Sequence, residues 1–314
     1  MNKNFVLSTH RLATLLLTSL LALGAHAEFN ANIEFDNTYL NQNRGVSQGG
    51  RVELNAIGKF SNDKFVAGKA SYLAKRDGSA AVDDMWVQLG SSTADIKLGR
   101  FEAADLFPVP RDALVLYANG DGQSSVYRAN ALRGRFGNAS NGQGYFHAAA
   151  TVNFSKEFSA ELGLVETKAV DTKGFRPALT YASGPLTIKV GAEAIKWGTT
   201  ARTETGIGLS AAYDISGIKP ILSVATVKDA TGNKQQTYGL IVDTSFGATV
   251  GYIHGNTALA AGDYKTDTFY AAYTMPLFDI KGASITFAAS ASKGGGTNTS
   301  KDESGGKVRI NYAF

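Results

Sequence analysis

The stretch that decides the fold is KVRINYAF, at residues 307–314. Apolar side chains at positions 308, 310, 312 and 314 alternate with polar side chains at positions 307, 309 and 311. Strict alternation over a run of this length is typical of a β-strand with one apolar and one polar face. The stretch therefore predicts a strand whose apolar face ends on the aromatic residues Tyr312 and Phe314.

The same alternation recurs along most of the sequence, broken at short intervals by turn residues. The segments that carry it are residues 29–41, 50–60, 64–75, 81–90, 94–101, 144–154, 158–166, 174–182, 185–197, 205–215, 218–228, 236–246, 248–255, 266–275, 280–292 and 305–314. An even number of strands places both ends of a barrel on one side of a membrane. We therefore predict an all-β fold, a transmembrane antiparallel β-barrel of about 16 strands, with a range of roughly 14–18.

The connections between these segments fall into two classes. One class is tight: residues 61–63, 91–93, 155–157, 183–184, 216–217, 246–247 and 277–279. The other class is longer and polar: residues 42–49, 167–173, 198–204, 229–235, 256–265 and 293–304. Short turns at one end and long loops at the other are typical of bacterial outer-membrane barrels, so the predicted location is the bacterial cell outer membrane.

The polar face of the predicted strands is rich in charge. Its charged residues include Arg51, Glu53, Lys69, Lys97, Glu161, Lys189, Glu193, Lys307 and Arg309. In a membrane such a face lines a wet lumen, while the apolar face meets lipid. A closed barrel of about 16 strands is too wide for side chains to fill, so we expect an aqueous channel.

The first 27 residues are interpreted as a signal peptide. Lys3 and Arg11 form a basic region, residues 12–23 form an apolar region, and Ala25 and Ala27 complete a small-residue cleavage site. The apolar run is too short for a membrane-spanning helix. We predict a signal peptide at residues 1–27 and the transmembrane barrel at residues 28–314.

Composition excludes several kinds of chemistry. The chain has no cysteine, so disulfides, thiolate metal sites and cysteine nucleophiles are impossible. Removing Lys3 and Arg11 from the 31 basic residues leaves 29, against 27 acidic residues, and this balance argues against a nucleic-acid partner. Beyond the signal peptide, His147 and His254 have no neighbouring nucleophile motif. We therefore expect no catalytic residues, no cofactor and no metal, and the protein is predicted not to be an enzyme.

A long connection follows the fifth predicted strand, at residues 102–143. Structureless connections of this length are uncommon and usually functional, and this one is too apolar for a solvated external loop. We predict that it folds into the barrel and constricts the pore, with its acids opposite wall cations. The alternative is an external loop with an extra hairpin, because residues 125–136 also alternate. The predicted constriction residues are Glu102, Asp105, Asp112, Asp121, Arg51, Lys69, Arg100, Arg128, Arg133 and Arg135.

Three features together resemble the Gram-negative general porins: the signal peptide, the strand ladder, and the long connection after LGRF at residues 98–101. The ending VRINYAF, residues 308–314, is similar to the terminal strand of those porins. The resemblance implies a water-filled channel for passive diffusion of small hydrophilic solutes, often as a homotrimer. It also implies that Tyr312 and Phe314 form the signal for the barrel assembly machinery, in a membrane of outer-membrane lipid and lipopolysaccharide.

Two departures keep alternatives open. Residues 101–105 lack the acidic stretch that many general porins place at the narrowest point, so a monomer stays open beside the trimer. The short chain also resembles monomeric carbohydrate channels of the cyclodextrin-porin type. That resemblance implies that Phe107, Tyr117 and Tyr127 of this sequence stack on sugar rings. The alternative function is therefore a substrate-selective carbohydrate (oligosaccharide) porin. A more distant alternative is an outer-membrane barrel enzyme or adhesin.

Overall fold

The computed structural model forms one closed antiparallel barrel of sixteen strands. It describes residues 26–41, 45–60, 63–75, 78–112, 145–167, 171–196, 198, 203–259, 262–297 and 302–314. The strands are β1 His26–Leu40, β2 Gly45–Lys59, β3 Phe65–Lys75, β4 Ala80–Gly90, β5 Ala94–Arg100, β6 Tyr145–Asn153, β7 Phe158–Thr167, β8 Thr172–Ser183, β9 Leu186–Lys196, β10 Thr203–Tyr213, β11 Ile218–Lys228, β12 Lys234–Thr244, β13 Ala248–Leu259, β14 Gly262–Pro276, β15 Ala283–Gly296 and β16 Glu303–Ala313. Each strand pairs with its neighbours in the sequence, and β16 pairs with β1. The predicted fold class and strand count are confirmed.

The pairing of β1 with β16 closes the barrel. Ile33 lies opposite Tyr312 in this seam. Backbone bonds reach the last residue, because Ala31 N donates to Phe314 O at 2.8 Å and Phe314 N donates to Ala31 O at 2.9 Å. Closure leaves no free strand edge, which is the condition for a sheet to cross a membrane.

Large apolar side chains cover the outside of the barrel. Phe269 is 61% exposed and Leu54 is 54% exposed. Ile310 and Tyr312 of β16 and Phe314 directly after it are exposed, and these are three of the four apolar side chains predicted to face lipid. An apolar surface around a whole barrel is stable in lipid and aggregates in water. The outer face therefore matches the interior of a bilayer.

The connections at the end of the barrel away from the termini are shorter than predicted. The link between β13 and β14 is residues 260–261, where a loop over residues 256–265 was expected. The link between β1 and β2 is residues 41–44, where 42–49 was expected. Pairing needs only backbone N–H and C=O groups, so the ladder continues through polar residues beyond the apolar pattern. Apolar alternation therefore marks the lipid-facing part of a strand and not its end.

The connection between β5 and β6 stays the longest, and its first part, residues 101–112, is described. Within the described part of the chain, its helical content is one 3-10 turn, Pro110–Asp112. No helix in those same ranges is long and apolar enough to cross a membrane. The extra hairpin predicted as an alternative, at residues 125–136, lies outside the described residues.

Two glycines in the short turns allow a test of the stability of the barrel. Gly247, between β12 and β13, has φ 104°, and a Cβ there would lie 2.0 Å from Thr274 O. Gly184, between β8 and β9, has φ 55° with nothing within 4 Å of a Cβ. Gly184→Ala should lower the free energy of unfolding by about 1–2 kcal/mol, the cost of a left-handed alanine. Gly247→Ala should lower it further, because the Thr274 carbonyl must also move.

Urea titration of the barrel refolded in phospholipid vesicles measures both variants. Equal losses of stability for Gly184→Ala and Gly247→Ala would contradict the close approach at the second turn.

Candidate channel constriction

Residues 101–112 leave the wall at the end of β5 and turn into the barrel. Gly99 marks the departure, because its φ is 123° and a Cβ there would lie 2.3 Å from Met85 O. Only glycine adopts such a conformation without strain. Phe101 is then buried and stacks on His147 of β6, with ring centroids 3.8 Å apart. The chain therefore passes over β6 on its inner side.

Glycines on the inner wall, which have no side chain, leave room for the next residues of the segment. Gly191 of β9 and Gly208 of β10 are register partners. A Cβ at Gly191 would lie 2.7 Å from Leu106 Cδ1, and one at Gly208 would lie 2.8 Å from Leu106 Cβ. A Cβ at Gly239 of β12 would lie 2.7 Å from Phe107 Cζ. The three glycines thus form slots that let Leu106 and Phe107 press against strand backbone.

The inner wall is apolar where this segment lies on it. Phe107 packs with Ile221, Ile241 and Ile253, which are all buried. Val109 packs against the same cluster. Burial of apolar side chains stabilises the docked segment by about 1.5–3 kcal/mol for each large residue. The hydrophobic effect therefore holds residues 106–109 on the wall.

A charged contact fixes the far end of the segment. Arg111 Nε donates to Asp243 Oδ1 at 2.9 Å and to Thr249 Oγ1 at 3.1 Å. Arg111 Nη2 donates to the carbonyl oxygen of Thr244 at 2.8 Å. Nearer the start, Ala104 N donates to Glu161 Oε1 of β7 at 2.8 Å. Residues 101–111 therefore follow the inner wall from β6 to β13.

The remaining arc of the inner wall, from β16 through β1 to β4, is charged. Arg309 makes a two-pronged contact with Asp36, at 2.7 Å from Nε and 2.8 Å from Nη2. Its Nη1 lies 3.7 Å from Glu34 Oε1. Arg51 donates to Glu34 Oε1 at 2.9 Å and to Asp83 Oδ2 at 3.3 Å. We call these residues, with Glu53, Lys69 and Asp84, the charged arc.

A β-bulge adds one more acid to the charged arc. The register between β3 and β4 shifts opposite Ser71, so Asp83 and Asp84 both turn inward and are 1% and 6% exposed. Ser71 Oγ accepts a bond from Asp84 N at 2.8 Å. Lys69 Nζ lies 3.2 Å from Asp84 Oδ2 and also contacts Glu53. The bulge places two adjacent carboxylates on one face, which regular alternation forbids.

Two of the predicted wall cations, Arg51 and Lys69, lie in the charged arc, where they contact wall carboxylates. The third, Arg100, donates from Nε to the Asp83 carbonyl oxygen at 2.6 Å. Among the described residues, Arg111 forms a salt bridge between the segment and the wall, and here the segment supplies the cation. The predicted pairing of Asp112 and Asp121 with wall cations concerns side chains outside the described residues.

The predicted loop residues have mixed outcomes. Glu102 and Asp105 are half-buried, and Asp105 Oδ1 accepts a bond from Phe107 N at 3.0 Å within the same turn. Phe107 is 2% exposed, so its ring cannot stack on a sugar as predicted, because the inner wall covers it. The predicted site residues outside the described part of the chain are the side chain of Asp112 and the residues Tyr117, Asp121, Tyr127, Arg128, Arg133 and Arg135.

Sequence reasoning missed most residues that dock the segment. A signal for them exists in the strand pattern. Ile221 and Ile241 each stand between apolar neighbours, so both faces of those strands are apolar there. An apolar inner face in a wet barrel requires a cover. The adjacent acids Asp83 and Asp84 likewise break alternation, which is the mark of a bulge.

The two histidines beyond the predicted signal peptide each contact another side chain. His147 is 5% exposed beneath Phe101, and His254 lies on the outer wall with its Nδ1 2.7 Å from Asp267 Oδ1. Among the residues with described positions, no group of three His, Cys, Asp or Glu could hold a metal ion.

Solved structures similar to this barrel are outer-membrane proteins. The loop-deleted OmpT of Vibrio cholerae is 11% identical, with a TM-score of 0.68 over 92% of this chain and 99% of that one. A triple mutant of the Rhodopseudomonas blastica porin is 15% identical, with a TM-score of 0.62 over 92% and 100%. OccK2 of Pseudomonas aeruginosa is 13% identical, with a TM-score of 0.60 over 92% and 98%. At these identities the similarity shows the fold.

The sequence itself identifies the family. No curated protein sequence matches it. A family model described as porin-like glycoporin RafY matches residues 27–194, which is more than half of the chain. That is a family of channels and not an enzyme class. The protein belongs to the porin-like glycoporin RafY family, in the bacterial outer membrane.

Proposed function

We propose that residues 101–111 and the charged arc form the two sides of the constriction in this outer-membrane porin, a water-filled channel through which small hydrophilic solutes diffuse. The observation that carries the proposal is their arrangement. The segment covers the inner wall from β6 to β13, and the charged arc occupies β16 to β4. Fixed charges beside a narrow aqueous path favour polar solutes and disfavour apolar ones.

The charged arc also affects which solutes would pass through the channel. Cations and carboxylates are interspersed around it: Arg309 on β16, Asp36 on β1, Arg51 on β2, Lys69 on β3 and Asp84 on β4. Because each cation lies beside a carboxylate, a passing solute meets donors and acceptors in turn and no large field of one sign. Such a wall suits an uncharged polyhydroxy solute better than an ion of one charge.

A substrate-selective carbohydrate channel is therefore the second candidate. The family description names glycoporins. Trp86 on the inner face of β4 supplies an aromatic surface, with Lys97 Nζ 4.6 Å from its ring centroid. This half-buried indole takes the stacking role that Phe107 cannot fill. The passive channel needs no such specificity, so sugar binding separates the two candidates.

Export and assembly belong to the same proposal. Residues 1–27 would direct export and be removed, although residues 1–25 lie outside the described residues. Tyr312 and Phe314 would be recognised by the barrel assembly machinery, and their rings stack on the outer face with centroids 5.4 Å apart. OmpT of Vibrio cholerae has been solved in a trimer form, which supports a homotrimer as the working model. We also propose that the protein has no catalytic activity.

Deletion of residues 105–121 should increase single-channel conductance, because it removes the docked segment from the channel. Planar-bilayer recording measures the conductance, and retained heat-modifiable mobility in gels shows that the barrel is folded. Unchanged conductance in a folded variant means that the segment does not limit the path.

Arg51→Gln should shift the reversal potential toward cation preference. The change removes the cation that lies 2.9 Å from Glu34 and 3.3 Å from Asp83. Lys59→Gln is the matched control, since it removes the same charge from an exposed pair with Glu28 at the short-turn end. Lys59→Gln should have the smaller effect in a salt gradient. Equal shifts would place the selective charges outside the charged arc.

Trp86→Ala should weaken the block of ion current by oligosaccharides by about 1 kcal/mol, if stacking on the indole contributes as aromatic contacts usually do. The block is titrated with sugars of increasing length. Tyr213→Ala removes an aromatic side chain from the outer wall, where the residue is 49% exposed, and should leave the titration unchanged. If oligosaccharides block the Trp86→Ala channel as strongly as they block the wild type, the carbohydrate candidate loses its support. The passive channel is unaffected by that result.

A further inference from the structure

Four side chains form a row on the inner wall, at the point where residues 101–111 leave β5. Lys97 Nζ lies 4.6 Å from the ring centroid of Trp86 and 5.4 Å from the ring centroid of Phe101. Phe101 in turn stacks on His147, with ring centroids 3.8 Å apart. One ammonium group therefore contacts both the indole of β4 and the first residue of the docked segment.

Gly99 brings these groups together. It is the register partner of Trp86 and stands midway between Lys97 and Phe101 in the chain. A Cβ at this position would lie 2.9 Å from Trp86 Cα, so the absence of a side chain allows the two strands to approach closely here. No side chain at position 99 separates the lysine from the two rings.

Lys97 differs from the cations of the charged arc. In that arc, carboxylates contact Arg51, Lys69 and Arg309. Within the described part of the chain, the ammonium group of Lys97 contacts the two rings, and its register partners are the uncharged Gln88 and Ala149. Asp95 lies two residues earlier on β5, and it forms no salt bridge with Lys97. The attraction of an ammonium ion to an aromatic face therefore determines where the end of this lysine lies.

The other side of Trp86 is also restrained. Its register partner on β3 is Lys69, which lies 3.2 Å from Asp84 Oδ2 and also contacts Glu53. An indole changes its orientation by rotating about its side-chain torsions, and neighbours on both adjacent strands limit that rotation. Lys69 supplies a neighbour that carboxylates hold in place, and Lys97 supplies the contact from the β5 side.

We propose that Lys97 is a positioning residue for the stacking of a sugar ring on Trp86. Its ammonium group holds the indole in one orientation and links that orientation to Phe101 at the start of the docked segment. The inference rests on the carbohydrate channel proposed above. A ring that is already oriented loses less conformational freedom when a ligand stacks on it, so removal of the cation should weaken sugar binding although the ring is still present.

The fluorescence of Trp86 tests the positioning without any sugar. The chain has two tryptophans, so Trp197→Phe leaves Trp86 as the single fluorophore. In that background, Lys97→Met should lower the anisotropy of Trp86 and increase its quenching by acrylamide by about twofold, because the cation–π contact is lost. Lys97→Arg should keep both values, since a guanidinium group also binds an aromatic face.

Lys189→Met is the matched control for these variants. Lys189 of β9 lies two residues before Gly191, which faces Leu106, so it is also a lysine of the inner wall. Its register partner on β10 is Ser210. The control removes the same charge from another strand and should leave the anisotropy and the quenching of Trp86 unchanged.

Block of ion current by oligosaccharides then tests whether Lys97 acts through the indole. Lys97→Met should weaken the block by about fivefold, the effect of losing one cation–π contact. In a Trp86→Ala channel the same substitution should weaken it by less than about twofold, because the ring through which the lysine acts is gone. Heat-modifiable mobility in gels shows that each variant is folded.

Unchanged anisotropy and quenching in Lys97→Met overturn the proposal. A weaker block with unchanged fluorescence, or the same loss of block with and without Trp86, also overturns it, because Lys97 would then act on the sugar directly. If the fluorescence changes as expected but no oligosaccharide blocks the wild type, the carbohydrate candidate fails and the positioning of Trp86 by Lys97 is supported.

Discussion

The structure depends on one constraint, the need to pair every strand with neighbours on both sides. Lipid offers no water to unpaired N–H and C=O groups, so a sheet crosses a membrane only when it is closed. Here closure is made by β1 and β16, with reciprocal backbone bonds between Ala31 and Phe314 at 2.8 and 2.9 Å. The rest of the wall follows in sequence order, each strand beside the next. Apolar side chains then face lipid, and the polar face is left to line the lumen.

A wet lumen would leave an apolar inner patch exposed, and residues 101–111 resolve this conflict. Leu106 and Phe107 cover the patch around Ile241, seated where glycines leave the strand backbone bare. The segment is thus held by the same hydrophobic effect that holds a soluble core, although it lies inside a channel. The opposite part of the inner wall, from β16 to β4, carries the charged arc.

Charge on the inner wall is largely neutralised by its own neighbours. Arg309 contacts Asp36 and Glu34 of the adjacent β1, and Arg51 contacts Glu34 of β1 and Asp83 of β4. Side chains one strand apart on the same face are close enough to pair, so a strand ladder naturally sorts opposite charges into contact. This arrangement holds long side chains against the wall and keeps the inner wall polar without strong charge of one sign.

The sequence by itself determined the barrel. Period-two alternation is a local property, so sixteen strands, their order and the outward faces of Ile310, Tyr312 and Phe314 could be read from it. The same pattern misjudged the loops, because backbone pairing continues after the apolar side chains stop. Only the tertiary structure decided which wall the segment covers and which charges meet. Gly208 beneath Leu106 and Arg111 beside Asp243 come from distant parts of the chain, and alternation along a strand carries no information about such contacts.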